Sequence, residues 1–318
     1  MKTAILGHLS PFAKLIFFLM LLLTGLIVAL GIGILLANPI YHINLLTDMK
    51  LLSDFSNPAT VSLMKFLQIV QSIGLFIVPA LLAGYFFERR PLGYAGLNKI
   101  PGAMIFLLVL LLMFVTLPFI NWLVSINEMM KLPSFLQGIE QWMKDSEDQA
   151  TQLTVAFLDV RTTGGFLVNM FAIAILPAVG EELLFRGVLQ RLFGEWFRNI
   201  HAAIFFTAFI FGVIHMQFYG LLPRMMLGVI FGYLYYWTGS LWAPIFAHFL
   251  NNGAVVIASF LSNLKIISSD YESFGNTSNL FLFFGSVLFS GLIIWLICKR
   301  RKPVEPLTAE NSRNPDNL

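Results

Sequence analysis

Six side chains that could do chemistry stand in three largely apolar stretches of this 318-residue chain. Glu181, Glu182 and Arg186 lie in "VGEELLFRGVLQ", His215 lies in "FIFGVIHMQ", and His248 and Asn252 lie in "LWAPIFAHFLNNGAVV". A charged side chain at a bilayer centre costs roughly 2.5–3.5 kcal/mol on insertion scales, so ionisable residues inside membrane helices are functional candidates by default. On a helix Glu182 and Arg186 are four apart with the acid first, the favourable order for an ion pair. Glu181 is rotated about 100° from Glu182 and must point elsewhere, toward water, a proton donor or a substrate. His248 and Asn252 are also four apart and share a face. A lone histidine in a membrane helix often only joins helices, through a hydrogen bond of about 0.6 kcal/mol. One carboxylate, two imidazoles and one amide on three successive apolar helices are a stronger signal than any member.

A glutamate and a histidine can activate water as general bases, while a second histidine and an amide can donate to a developing oxyanion. Alternatively Glu181, His215 and His248 can bind a zinc ion whose water is the nucleophile, since two His and one Glu form a known catalytic set. The helical HExxH signature is absent, and no acid partner stands near a candidate serine in these spans. Hydrolysis by activated water, with or without a metal, is the expected reaction class.

These residues resemble a known family. "EELLFR", "FGVIH" and "HFLNN" look like the EExxxR, FxxxH and HxxxN motifs of the CPBP family, which comprises the CAAX prenyl proteases of type II and bacteriocin-processing proteins and is also called Abi. The resemblance covers about residues 166–258. It implies an intramembrane CAAX-type (metallo)endopeptidase in which Glu181 with His215 activates water and His248 with Asn252 holds the oxyanion. Glu182 and Arg186 would support the site. A zinc ion on Glu181, His215 and His248 is the cofactor to test. The substrate expected is a membrane-embedded peptide or protein, prenylated or otherwise lipidated, or a peptide precursor.

The elements that must position these groups are apolar helices. The chain is 58% hydrophobic and 12% charged, with mean hydropathy +0.80, against about 25% charged residues in a soluble domain. Apolar runs of about 20 residues can cross the hydrocarbon core, and eight are visible, near 14–37, 62–87, 102–125, 166–190, 200–219, 221–238, 240–262 and 279–298. The expected fold is all-α, a polytopic transmembrane bundle of about eight spans. Residues 1–165 supply three spans and an outer amphipathic loop, 166–258 the catalytic core, 259–298 an outer loop and the last span, and 299–318 a disordered basic and polar tail. Twelve Lys and Arg fall on the side of the termini and six on the other, which places both termini in the cytoplasm, expected to be that of a bacterial cell. The net charge of +3 is small and lies in loops, so it speaks for membrane orientation rather than nucleic-acid binding.

Two other readings compete with the protease. One is a catalytically silent membrane immunity or scaffold protein that reuses the fold. The other is a transporter that relays protons through Glu181 and the histidines, although no internal repeat is visible. Counted from span boundaries at residues 190 and 200, Glu181 lies about nine residues deep and His215 about fifteen, a mismatch of roughly 10 Å. The sequence reading resolves it by starting the fifth span after residue 200, with "RLFGEWFRNIH" along the interface. Lys65 is expected to snorkel to the outer interface, and Gln68, Gln71 and Ser72 to bond neighbouring helices. His8, His42 and His201 receive no chemistry, Cys298 is read as a small residue at a helix end, and "NTS" at 276–278 matches a glycosylation sequon.

Overall fold

The computed structural model describes residues 4–47, 52, 54–130, 132–268 and 279–300. The sequon and almost all of the tail fall outside this set, as do several basic residues used in the orientation argument. Every regular element among the described residues is helical: α1 Pro11–Tyr41, α2 Pro58–Glu88, α3 Ala103–Val115, α4 Leu117–Met129, α5 Gln137–Leu158, α6 Thr163–Phe197, α7 Ile200–Ile214, α8 Leu221–Thr238, α9 Trp242–Asn263 and α10 Leu280–Lys299. The boundaries follow from capping chemistry. Side-chain oxygens of Ser10, Asn57, Thr162, Asn199 and Asn279 accept from the first free backbone N–H groups of α1, α2, α6, α7 and α10.

Six helices are long and apolar enough to cross a membrane on their own: α1, α2, α6, α8 with the turn before it, α9 and α10. The run expected as one span at 102–125 is the pair α3 and α4, bent by 43°. Pro118 stands in the first turn of α4 and has no N–H to give. Thr116 at the break turns its hydroxyl back on the Leu112 carbonyl at 2.5 Å. With this pair the count is seven. The remaining expected span, α7, has only 15 residues.

The depth mismatch is resolved in the opposite way to the sequence expectation. α7 starts at Ile200, as early as the apolar run allows, and "RLFGEWF" is helical before it rather than part of it. It is the last stretch of α6, a helix of 35 residues. Arg198 takes a left-handed conformation, φ 53°, and Asn199 caps the return helix. From this reversal Glu181 and His215 are each about 16 residues away, roughly 24 Å along their helices, and so stand level.

Contacts fix which helix ends meet. Lys14 near the start of α1 pairs with Glu195 near the end of α6 at 3.1 Å. Arg191 of α6 pairs with Glu88 at the end of α2 at 3.1 Å. Ser286 of α10 donates to the Val115 carbonyl at the end of α3, at 2.7 Å. The start of α1 and the end of α10 therefore share one end of the bundle. α5 lies at the other end, where Lys65 corrects the snorkelling expectation. Lys65 is buried, donates to the Phe157 carbonyl at 2.8 Å, and lies over the Phe157 ring. The last carbonyls of a helix are the negative end of its dipole, so the C-terminus of α5 offers this ammonium a partner without an acid.

Candidate active site

α6 carries Glu181, Glu182 and Arg186 at the point where its α-helical geometry gives way to a π-helical turn, Leu183–Leu189. Such turns recur at functional sites, because the wider ring leaves backbone groups without helical partners. A second π segment, Met170–Ile175, puts two carbonyls to use: Ala172 accepts from Gln68 and Ile173 from Asn252.

Glu182 and Arg186 are fully buried and paired at 2.6 Å, as their spacing predicts. Arg186 also donates to the Gly228 carbonyl of α8 at 2.9 Å. Its guanidinium carbon lies 4.9 Å from the centre of the Phe211 ring and 5.4 Å from that of Phe231. A buried cation so enclosed meets a hydrogen-bond partner and the negative faces of aromatic rings in place of water. α8 comes close enough because Gly228 has no side chain. A Cβ there would stand 2.9 Å from Ala208 Cβ on α7.

Glu182 has a second task that the sequence reading missed. The carboxylate oxygen that takes Arg186 also accepts from His248 Nδ1 at 3.0 Å. His215 Nδ1 in turn lies 2.7 Å from the Phe211 carbonyl. Both partners are acceptors only, so each Nδ1 carries the hydrogen, and in the uncharged form of each ring Nε2 presents a lone pair. Those two Nε2 atoms each lie 3.9 Å from Oε2 of Glu181. This Oε2 is buried and has no hydrogen-bond partner. Three acceptors thus face one another with no donor among them. A water molecule, a cation or an added proton is what such a set accommodates.

Asn252 lies on the same helix as His248, one turn further on, and donates to the Ile173 carbonyl at 3.2 Å. An amide has two N–H groups, so one remains for a ligand. Phe231 stacks on His248 with ring centres 5.4 Å apart, and Phe211 meets the His215 ring edgewise at 4.8 Å. His201, given no chemistry from sequence, lies 2.7 Å from the Tyr233 hydroxyl. A cavity of about 500 Å³, lined by Glu128, Glu147, Tyr219 and Arg224 among others, borders the turn that follows His215.

One carboxylate and two imidazoles are a donor set that zinc accepts. Among the described residues, however, no group of three or more His, Cys, Asp or Glu side chains is gathered to hold a metal ion.

Residues 163–254 match the family described as type II CAAX prenyl endopeptidase, Rce1-like. This segment carries every candidate site residue, from Glu181 to Asn252. Over this segment the chain is similar to the CAAX-type proteases of the CPBP family. Among curated proteins the chain is similar to "Putative membrane peptidase YdiL" of Bacillus subtilis (strain 168), 33% identical over 106 residues, which are 33% of this chain and 41% of that protein. "Uncharacterized protein YpbD" of the same organism is 37% identical over 86 residues, 26% of this chain and 41% of that one. "Membrane-embedded CAAX protease MroQ" of Staphylococcus aureus (strain USA300) is 35% identical over 103 residues, 30% of this chain and 40% of its own. The chain thus spans about two-fifths of the length of these relatives. No solved structure matches it. The CPBP segment leaves out α1 to α5 and α10.

Proposed function

We propose that the chain is an intramembrane endopeptidase that hydrolyses a peptide bond of a membrane-anchored or lipidated peptide or protein. The observation that carries this reading is the set of three facing acceptors, Glu181 Oε2 and Nε2 of His215 and His248, at 3.9 Å. A water molecule supplies the two donors that the set lacks, and a carboxylate and an imidazole beside it are bases able to take its proton. The family match of residues 163–254 and the similarity to the membrane-embedded CAAX protease of Staphylococcus aureus support proteolysis as the reaction.

In the proposed reaction the water oxygen bonds to the peptide carbonyl carbon while Glu181, supported by His215, takes one water proton. The carbonyl oxygen becomes an oxyanion, and the second N–H of Asn252 donates to it. His248 donates as well once its Nε2 has taken up a proton from bulk solvent, which it keeps through the cycle, with Glu182 at its Nδ1 balancing the charge gained. The proton on Glu181 passes to the amide nitrogen as the C–N bond breaks, and the products are a carboxylic acid and an amine. Preorganised donors at a developing oxyanion typically contribute about 10²–10³ in rate each. We place the termini, and the end of the bundle that holds Lys14 and Arg191, in the cytoplasm, on the bias of Lys and Arg in the loops.

The test is cleavage of membrane-anchored peptides by purified protein in liposomes, wild type beside Glu181→Gln and His248→Ala, each with and without phenanthroline. Cleavage that both variants lose is expected. Chelator sensitivity would assign the water to a metal. Equal cleavage by all three proteins would sink the proposed site.

A further inference from the structure

His215 stands one residue beyond the last residue of α7, so its position depends on where the chain goes next. The chain turns sharply. Met216 has φ 55°, a left-handed conformation uncommon for a residue with a side chain, which persists only where the surroundings hold it. Five residues later α8 begins, and the intervening turn is gripped from two other helices and from α8 itself.

The tightest grip comes from Asn127, in the last turn of α4 and 5% exposed. Its Nδ2 donates to the Phe218 carbonyl at 2.8 Å, and its Oδ1 accepts from the Leu222 N–H at 2.7 Å. Both ends of one amide are thus spent on the two ends of one turn. Glu147 of α5 accepts from the Tyr219 N–H at 3.3 Å, and Trp142 packs on the Phe218 ring with centres 5.3 Å apart. From within the hairpin, Arg224 donates to the carbonyl of Gln217 at 2.9 Å and to its side-chain oxygen at 2.6 Å. The amide chemistry at 127 is specific. Aspartate offers no donor to the Phe218 carbonyl, and leucine offers neither a donor nor an acceptor.

We infer that Asn127 is a positioning residue for His215, so that α4, outside the segment matched to the CPBP family, completes the site. The inference rests on the role given to His215 under the proposed function. Asn127 touches neither His215 nor substrate. It fixes the turn, the turn fixes the end of α7, and His215 Nδ1 stays on the Phe211 carbonyl with Nε2 toward Glu181. The competing account makes Asn127 only a support for the fold, by satisfying buried backbone groups.

The experiment uses full-length protein in detergent, labelled with ¹⁵N-histidine, with the His215 signal assigned by its loss in His215→Gln. The proteins compared are wild type, Asn127→Ala, Asn127→Asp and Asn263→Ala. The last removes a side-chain bond to the Leu158 carbonyl, remote from the turn. Wild type and Asn263→Ala should show one His215 tautomer, protonated at Nδ1. Both Asn127 variants should show a mixture of tautomers or a broadened signal. Asn127→Asp keeps the acceptor for Leu222 and serves if the alanine variant does not fold. In the cleavage assay, per folded molecule, the Asn127 variants should lose at least about tenfold in kcat with KM within about twofold, and Asn263→Ala should not. An unchanged His215 signal in a folded Asn127 variant, or an equal disturbance in Asn263→Ala, overturns the inference. The spectrum decides it with no substrate in hand, whereas a wild type that shows the ordered signal yet cleaves nothing counts against the protease reading alone.

Discussion

Arg186→Met is the sharpest test of how the site is held together. The substitution keeps a long side chain in the cage of Phe185, Phe211 and Phe231, and removes the charge and two hydrogen bonds. Glu182 is left fully buried with His248 Nδ1 as its remaining partner. Losing one partner of a buried ion pair costs about 3–5 kcal/mol, because the other charge stays uncompensated. The two lost bonds, at about 1.5–3 kcal/mol each for a charged donor, give a figure in the same range. A loss of that size lowers the folding equilibrium constant by roughly two to three and a half orders of magnitude. The assay is equilibrium unfolding in mixed micelles of wild type, Arg186→Met, Glu182→Gln and the double variant. The double variant removes both charges and should recover most of the stability, giving a coupling of about 2 kcal/mol or more in the cycle. A loss below about 1 kcal/mol for Arg186→Met would refute the reasoning, since it would mean that water reaches this guanidinium.

Three further outcomes follow from the geometry. Glu181→Gln should lower kcat by about 10²–10⁴, the span of general-base catalysis, with stability close to wild type, because Oε2 has no hydrogen-bond partner to lose; matched activity traces and melting curves check both halves. Gly228→Ala should cost about 1–3 kcal/mol and reduce cleavage, since its Cβ would meet Ala208 Cβ at 2.9 Å and Cα at 3.1 Å, and the shift would draw the Gly228 carbonyl away from Arg186. Unfolding and turnover measured on one preparation decide it, and a stable, fully active variant would contradict the close seam. Lys65→Met should stay within about 1 kcal/mol of wild type, because Asn169 still donates to the Phe157 carbonyl at 2.7 Å. Hydrogen exchange should quicken at the last turn of α5, and a loss above about 2 kcal/mol would be unexpected.

Spacing made part of the site legible. Glu182 and Arg186 are neighbours because any helix brings positions four apart together, and Glu181 faces away from that pair for the same reason. The four-residue interval between Phe211 and His215 carried a signal that went unused, since a carbonyl four residues back lies within reach of a helix-end side chain. The bond from Glu182 to His248 could not be read, because it joins helices 66 residues apart and depends on how they pack. The depth of His215 was misjudged for another physical reason. "RLFGEWF" was set apart from the fourth span by composition, yet it continues α6 without a break, packed on α1 and α7 through Leu192, Phe193 and the Lys14–Glu195 pair. Asn127 gave no sign, since one amide near the end of an apolar run looks like any helix terminus. Lys65 was misread because a buried lysine is expected to need an acid, and the end of a helix met that need instead.

The brevity of α7 bears on how the protein is made. Fifteen residues of helix extend about 22 Å, short of a hydrocarbon core of about 30 Å. Alone, such a segment falls short of the apolar thickness, and its close seam with α8 at Ala208 and Gly228 gives the pair the apolar surface that α7 lacks by itself. During synthesis Glu182 and Arg186 are delivered first and can neutralise each other within their own helix. His215 arrives next, on the hairpin, and His248 comes last with α9. The three facing acceptors therefore come together only once residues as far apart in sequence as Glu181 and His248 are all in place.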